Sequence, residues 1–386
     1  MDLIWQSAQA PSCFKNVRWS PDGTCALTAL DDGSIDLYEL RHEDQGAAEM
    51  PRLRLDHVCR RREPEVVYDY LWNPLMTSQD PATCFFCTTA RDQPVHIWDA
   101  FSGQLRSSIG AYDNGDDLYA CLSIGITPDG ATLYGGVSNG VFVFDLERGS
   151  RDRRRWTVKD PDGGDFYGLV SCMAFDRASG HGDIVALGSY SGMVGVFDEK
   201  SSSHLLTMPS HRRGVTSVKF SPCGLYLWSG GRCEPDLLCW DVRYAQVPLH
   251  RLPRVVGNHQ RIDFDLERTG RYVITGGQDG IVRAYDVMEA PVPPSTAPAP
   301  AYFQYRVGPG LYFSALGDSC NGVGLHPSLP LAVTTSGQRH FPVDDADTDE
   351  ERVDDDDVVD SAIRLWSVHL DAQRPVPASS PDYTNA

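Results

Sequence analysis

Along this chain, short runs of alternating apolar and polar residues recur between turn-forming clusters, and the pattern has a period. Each unit is an apolar strand, a turn of the Ser-Pro-Asp-Gly kind, a second strand ending in small residues, a short polar turn, and a third strand ending in an aromatic residue. The first copy reads Val17-Arg18-Trp19-Ser20-Pro21-Asp22-Gly23, then Ala26 to Ala29, then Ile35-Asp36-Leu37-Tyr38. Later third strands end at Trp98, Phe144, Phe197, Trp240, Tyr285 and Trp366, the first five of these followed by Asp. The matching turns are Asn73-Pro74, Thr127-Pro128-Asp129-Gly130, Asp176-Arg177, Ser221-Pro222-Cys223-Gly224, Glu267-Arg268-Thr269-Gly270 and His326-Pro327-Ser328. Proline followed by Asp-Gly presets a tight reversal between paired strands. Seven such units predict seven antiparallel sheets, each burying both faces against its neighbours in a closed ring.

The fifth unit, Val215 to Val242, carries the fullest signature. His211, Ser229, Asp236 and Trp240 take the places of the buried His-Ser-Asp-Trp hydrogen-bond chain of WD repeats, so the expected fold is an all-β, seven-bladed WD-repeat β-propeller. The other units lack the histidine, and there the chain is expected to be partial. His, Ser and Asp are also the members of a hydrolase triad, but no nucleophile elbow is present and the repeat register accounts for all three. One propeller is expected over 1–370, closed by Leu3-Ile4-Trp5-Gln6 as the outer strand of the last blade. Pro291 to Pro300 reads as an extended surface loop between units six and seven, and 371–386 as a disordered tail.

Composition adds limits. With 386 residues, 41% apolar and 10% aromatic, the chain can bury a large core. No run approaches the ~20 apolar residues needed to cross a bilayer, and the N-terminus has neither a basic nor an apolar leader region, so an intracellular protein without a membrane partner is expected. Eleven cysteines, an odd number spread through strands, fit reduced thiols used as core residues. Cys84 and Cys87 have CxxC spacing, yet in a strand over Ala82 to Ala90 they point to opposite faces. There is no P-loop, no GxGxxG opening a helix, no HExxH and no zinc-spaced His/Cys set, so no catalytic residue, metal or cofactor is expected.

A net charge of -19 argues against nucleic acid until its distribution is considered. Val343 to Asp360 holds eleven acids and one arginine, about half of the total, in an insertion within the last blade. In each blade, the turn between second and third strands and the loop leading into the first strand emerge on one side. Those turns carry Arg91, Arg232, Gln338 and Arg339; the loops carry Arg60 to Arg62, Arg212, Arg213, Gln260 and Arg261. Such a ring of guanidinium groups offers forked donors to phosphates and planar cations to unstacked bases, with Tyr119, Tyr167 and His340 as further stacking surfaces. The other reading is that these arginines pair with Asp92, Glu234 and Asp263 and only knit the blades. Arg151 to Arg155 reads as a solvated loop on the opposite face or outer edge. The acidic insertion leaves the turn that carries Arg339 and is either solvated or laid over the basic face.

Several stretches resemble the telomerase Cajal-body WD-repeat protein family. They are Tyr68-Asp69-Tyr70-Leu71-Trp72 with Gln93-Pro94-Val95-His96-Ile97-Trp98-Asp99-Ala100-Phe101-Ser102-Gly103, Leu237 to Arg243, Asn258 to Leu266, and Asn321 to Pro330 running on through Ser336-Gly337-Gln338-Arg339. The resemblance covers roughly Phe14 to Pro342. It implies a non-catalytic, monomeric scaffold that recognises the Cajal-body box of small Cajal-body RNA or telomerase RNA in dyskerin-containing H/ACA ribonucleoproteins. It also implies a location in the nucleus and its Cajal bodies, with some protein in the cytoplasm. The alternative is a protein-binding propeller, either a ubiquitin-ligase receptor or a spliceosome-associated factor.

Overall fold

Residues that alternate along each strand alternate between two buried faces, and this produces blades rather than a two-layer sandwich. A computed structural model describes residues 1–43, 52–112, 117–149, 153–158, 168–178, 184–288, 305–306, 310–314, 317–338 and 360–368. After β1 (Asp2–Gln6), blade 1 is β2 (Phe14–Trp19), β3 (Cys25–Leu30), β4 (Ser34–Glu43) and β5 (Arg52–Arg62). Blade 2 is β6 (Val67–Trp72), β7 (Phe85–Ala90), β8 (Val95–Asp99) and β9 (Leu105–Ile109). A ribbon of β10 (Ala111–Tyr112) and β11 (Leu118–Tyr119) leads into blade 3: β12 (Ser123–Ile126), β13 (Thr132–Val137), β14 (Gly140–Asp145) and β15 (Arg153–Thr157). Blade 4 is β16 (Val170–Phe175), β17 (Ile184–Ser189), β18 (Met193–Asp198) and β19 (His204–Pro209). Blade 5 is β20 (Val215–Phe220), β21 (Tyr226–Gly231), β22 (Asp236–Asp241) and β23 (His250–Pro253). Blade 6 is β24 (Phe264–Leu266), β25 (Tyr272–Thr275), β26 (Ile281–Asp286) and, beyond β27 (Tyr305–Arg306), β28 (Leu311–Ser314). Blade 7 is β29 (Cys320–Leu325), β30 (Leu331–Ser336) and β31 (Ile363–Ser367), with β1 as its fourth strand.

The ring therefore closes as expected, Asp2 opposite Ser367 and Gln6 opposite Arg364. Seven apolar clusters fill the seven interfaces between blades. Cys84 and Cys87 illustrate the two-sided burial. Cys84 packs with Leu27, Tyr70 and Phe86 towards blade 1, and Cys87 with Ile97, Ile124 and Leu133 towards blade 3. Among the described residues there is no helix, and hence none long and apolar enough to cross a membrane.

Three details differ from the sequence reading. Blade 1 has long outer strands, so Arg60, Arg61 and Arg62 belong to β5 and not to a loop. Arg153 to Arg155 likewise form most of β15, at the outer edge of blade 3. The proline-rich segment separates the third and fourth strands of blade 6 rather than blades 6 and 7; 291–300 itself lies outside the described residues, as do 343–359 and 369–386. Asp360, by contrast, is no solvated acid. It is 4% exposed, accepts from Arg364 Nη2 at 2.9 Å and from the Gly317 amide at 2.8 Å, and so belongs to the core of blade 7.

The innermost strands carry charge to the axis. In blades 1, 2, 4, 5 and 7 the first strand has an irregularity at the same place, which turns Asn16, Asp69 and Ser217 toward neighbouring blades. Asp69 accepts from Arg18 Nη2 at 3.0 Å and from the Ile124 amide at 3.1 Å; Asp265 accepts from Lys219 Nζ at 2.9 Å and from the Leu325 amide at 2.8 Å. Each of these carboxylates thus fastens three consecutive blades.

Candidate functional site

In blade 5 the expected chain of polar groups is present with one substitution. Trp240 Nε1 donates to Ser229 Oγ at 3.1 Å, Ser229 Oγ to His211 Nε2 at 3.0 Å, and His211 Nδ1 to Glu234 Oε2 at 2.6 Å. The acceptor is Glu234 and not Asp236, which stands at the start of β22 with Arg251 Nη1 at 3.7 Å. The reason is the turn. Cys233 adopts a left-handed φ of 52°, which brings the next residue back over the imidazole. Glu234 Oε1 also accepts the backbone amides of Arg212 and Arg213 at 2.5 and 3.1 Å. Burial opposes its ionisation, but the bond from His211 and these amides outweigh burial and hold the carboxyl below its ordinary range.

Blade 2 has a full chain without a histidine in that position. Glu63 precedes Val67 by the four residues that separate His211 from Val215. Its buried carboxylate accepts from Thr88 Oγ1 at 2.5 Å and His96 Nδ1 at 2.8 Å, and Thr88 Oγ1 accepts from Trp98 Nε1 at 2.9 Å. In blade 7 the described residues show the Trp366 to Thr334 bond, 2.8 Å. The expectation that lack of His leaves the chain partial thus fails for blade 2.

These chains pin the turns from which the candidate arginines project. Arg91 and Arg232 are each the first residue after a second strand, β7 and β21. Tyr190 fills the same slot after β17, on the same side of the ring. Arg232 Cζ sits 4.9 Å from the Tyr190 ring centroid and its Nη2 donates to the Tyr190 hydroxyl at 3.1 Å, while the ring stays 39% exposed. Arg91 is exposed, and a bond to the Tyr68 hydroxyl, with Asp92 and Glu65 nearby, pushes its guanidinium up. Glu234 meets the backbone amides of Arg212 and Arg213 and not their guanidinium groups. Both are exposed, and among the described residues neither guanidinium has a carboxylate at ion-pair distance.

The remaining candidates divide. Gln260 Nε2 reaches the Gly337 carbonyl at 3.5 Å, and the Gln338 amide donates to Asp318 at 3.1 Å, so loops of blades 6 and 7 meet here. Buried Arg254 ties the same region together, donating to the Ile262 carbonyl at 2.8 Å and the Gly231 carbonyl at 3.5 Å; burial pulls its guanidinium down to about 10. Arg261 turns inward: its Nη1 lies 3.8 Å from Asp69 Oδ1. Blades 6 and 2 share no edge, so this pair spans the mouth of the central channel. Asp263 is buried beside it, accepting from Asn16 and Ser217, each at 2.7 Å. Burial alone would raise its pKa, yet Lys219, Arg261 and Arg18 hold it well below the carboxylate range. For Arg261 the knitting alternative is therefore the geometry seen. Arg60 is also spent, bidentate on Asp36 at 2.7 Å. Arg339, Tyr167 and His340 lie outside the described residues. Tyr190 and Tyr68 were missed in the sequence; the signal for Tyr190 was its position in the slot of Arg91 and Arg232. Among the described residues no group of three or more His, Cys, Asp or Glu could hold a metal.

Residues 202–240 match the WD domain, G-beta repeat family model. The chain is 36% identical over 367 residues, 95% of its length, to the Bos taurus protein named telomerase Cajal body protein 1. It is 38% identical to the Homo sapiens protein of that name over 87% of the chain, and 31% identical to the Drosophila melanogaster homologue, again over 87%. It spans 64%, 59% and 59% of the lengths of these three relatives. By sequence and by fold, this chain is a WD-repeat propeller homologous to the telomerase Cajal body protein 1 family.

Proposed function

We propose that the protein is a non-catalytic scaffold that holds a single-stranded RNA loop against the face bearing Arg91, Arg212, Arg213 and Arg232. The RNA is the Cajal-body box of a small Cajal-body RNA or of telomerase RNA, within dyskerin-containing H/ACA particles, in the nucleus and its Cajal bodies. The observation that carries this reading is that Arg212 and Arg213, exposed and without a carboxylate at ion-pair distance among the described residues, share one face with exposed Arg91 and half-buried Arg232 in a chain whose net charge is -19. Arg232 over Tyr190 adds a planar cation beside an exposed ring, the pairing that holds unstacked bases. The names of the relatives point to the same class of particle. Gln260 and Gln338 flank this face and are proposed as further contacts, together with Arg339, the next residue in sequence after Gln338.

Immunoprecipitation of the protein followed by sequencing of the bound RNA tests the reading. The expected result is enrichment of small RNAs that carry the box, reduced for Arg232→Glu. Recovery of proteins alone, with RNA at background, would contradict it and favour a protein-binding propeller.

A further inference from the structure

Away from that face, the outer edge of blade 3 is a basic stretch of described surface. Arg153, Arg154 and Arg155 are exposed and consecutive on β15, with Trp156 turned inward against Phe197. Alternation along the strand puts Arg153 and Arg155 on one side and Arg154 on the other. Arg155 Cζ lies 5.2 Å from the Tyr119 ring centroid and 5.7 Å from that of Phe142; Arg153 Cζ lies 6.0 Å from the Tyr112 centroid. Among the described residues neither Arg153 nor Arg155 has a carboxylate at ion-pair distance, although the chain carries 53 acids. Arginines laid over rings, with no carboxylate partner among the described residues, are an arrangement that fits a polyanion with planar groups.

The rings come from the β10–β11 ribbon. This ribbon starts where β9 leaves blade 2, on the side of the ring that carries Arg91, and its two tyrosines meet β15 at Arg155 and then at Arg153, progressively farther from that side. Basic and aromatic groups thus run from the turn face down the edge of blade 3.

We propose that this edge is a second RNA contact, which takes the single strand that runs on from the stem-loop. Phosphates lie on Arg153 and Arg155, and a base stacks on the guanidinium planes beside Tyr112 and Tyr119. This rests on the RNA-binding reading above, but it uses different residues and a different part of the RNA.

The test uses two RNAs, a blunt box-bearing stem-loop and the same stem-loop with a tail of about ten uridines, within the span covered by known single-strand sites. Dissociation constants are measured against salt for the wild type, Arg153→Gln/Arg155→Gln, Tyr119→Leu and Arg232→Glu, each checked by thermal melting. The wild type should bind the tailed RNA more tightly. The double variant should lose about ten-fold on the tailed RNA, with a salt slope lower by roughly 1.4 for two phosphate contacts, and nothing on the blunt one. Tyr119→Leu should lose affinity on the tailed RNA without the change in slope. Equal affinities of wild type and double variant for the tailed RNA overturn the proposal, and so does an equal loss on both RNAs. If Arg232→Glu weakens neither RNA, the turn face is wrong, and a surviving tail effect would leave the edge contact standing.

Discussion

The imidazole of His211 bonds to the carboxylate of Glu234 at 2.6 Å, across a turn whose left-handed Cys233 takes Asp236 out of the chain. With Ser229 and Trp240 this sets the Nδ1-protonated tautomer and leaves every donor in the chain with an acceptor. Trp240→Ala should cost about 3 to 5 kcal/mol through a large cavity, and His211→Tyr about 1 to 3 kcal/mol through overpacking. Glu234→Ala should cost about 1 to 3 kcal/mol for the orphaned imidazole N–H. Asp236→Asn, which leaves the His211 to Glu234 bond in place, should cost clearly less than Glu234→Ala. Chemical denaturation measures all four. An Asp236→Asn loss equal to that of Glu234→Ala would return the acceptor role to Asp236.

Glu63 provides a parallel test in blade 2. Glu63→Ala removes the acceptor shared by Thr88 and His96, and the melting temperature should fall as it does for Glu234→Ala. An unchanged melt would mean that the carboxylate adds nothing to that blade.

How much of this the sequence disclosed follows from how local each signal is. The seven aromatic-ended strands, the β1 closure and the opposite-facing Cys84 and Cys87 depend on turns and period-two alternation, which neighbouring residues specify. Glu234 was not legible because a single left-handed residue decides which side chain returns over His211. Arg60 to Arg62 looked like a loop because polar residues interrupt the apolar pattern, yet Asp36 on the facing strand holds Arg60 in the sheet. The Arg261 to Asp69 approach joins blades far apart in sequence, and only ring closure brings them together.

That channel network predicts an acid dependence. Asp263 has a depressed pKa in the folded state, so its contribution is present above the unfolded value of about 4 and is lost as pH falls from there through the folded value. Wild-type stability should therefore decline below roughly pH 4 more steeply than that of Asp263→Asn, which lacks this titration and is less stable at neutral pH. Parallel pH profiles for the two proteins would contradict the electrostatic role.

The acidic insertion calls for a deletion that respects Asp360. Removing 343–359 should leave the melting temperature unchanged, whereas Asp360→Ala should lower it by exposing the need of Arg364 for a counterion. The deletion takes away ten acids and one arginine. If the segment competes for the turn face, RNA affinity should rise at low salt, where the Debye length is about 30 Å at 0.01 M. Unchanged affinity there assigns it no competing role.

RNA binding by the turn face is read from the salt dependence of stem-loop affinity for Arg91→Glu, Arg232→Glu and Arg339→Glu. As a control, Arg243→Glu alters an exposed arginine, paired with Asp241, at the turn between β22 and β23 on the opposite side of the ring. A lost phosphate contact should lower the slope of log K against log salt by roughly 0.7 per arginine. A lost stacking contact should instead cost about 1 to 3 kcal/mol with little change in slope. Each rim variant should show one of these signatures with an unchanged melt, and Arg243→Glu neither. Equal losses for the control and the three rim variants would mean diffuse attraction to the whole surface and would contradict the assignment of this face.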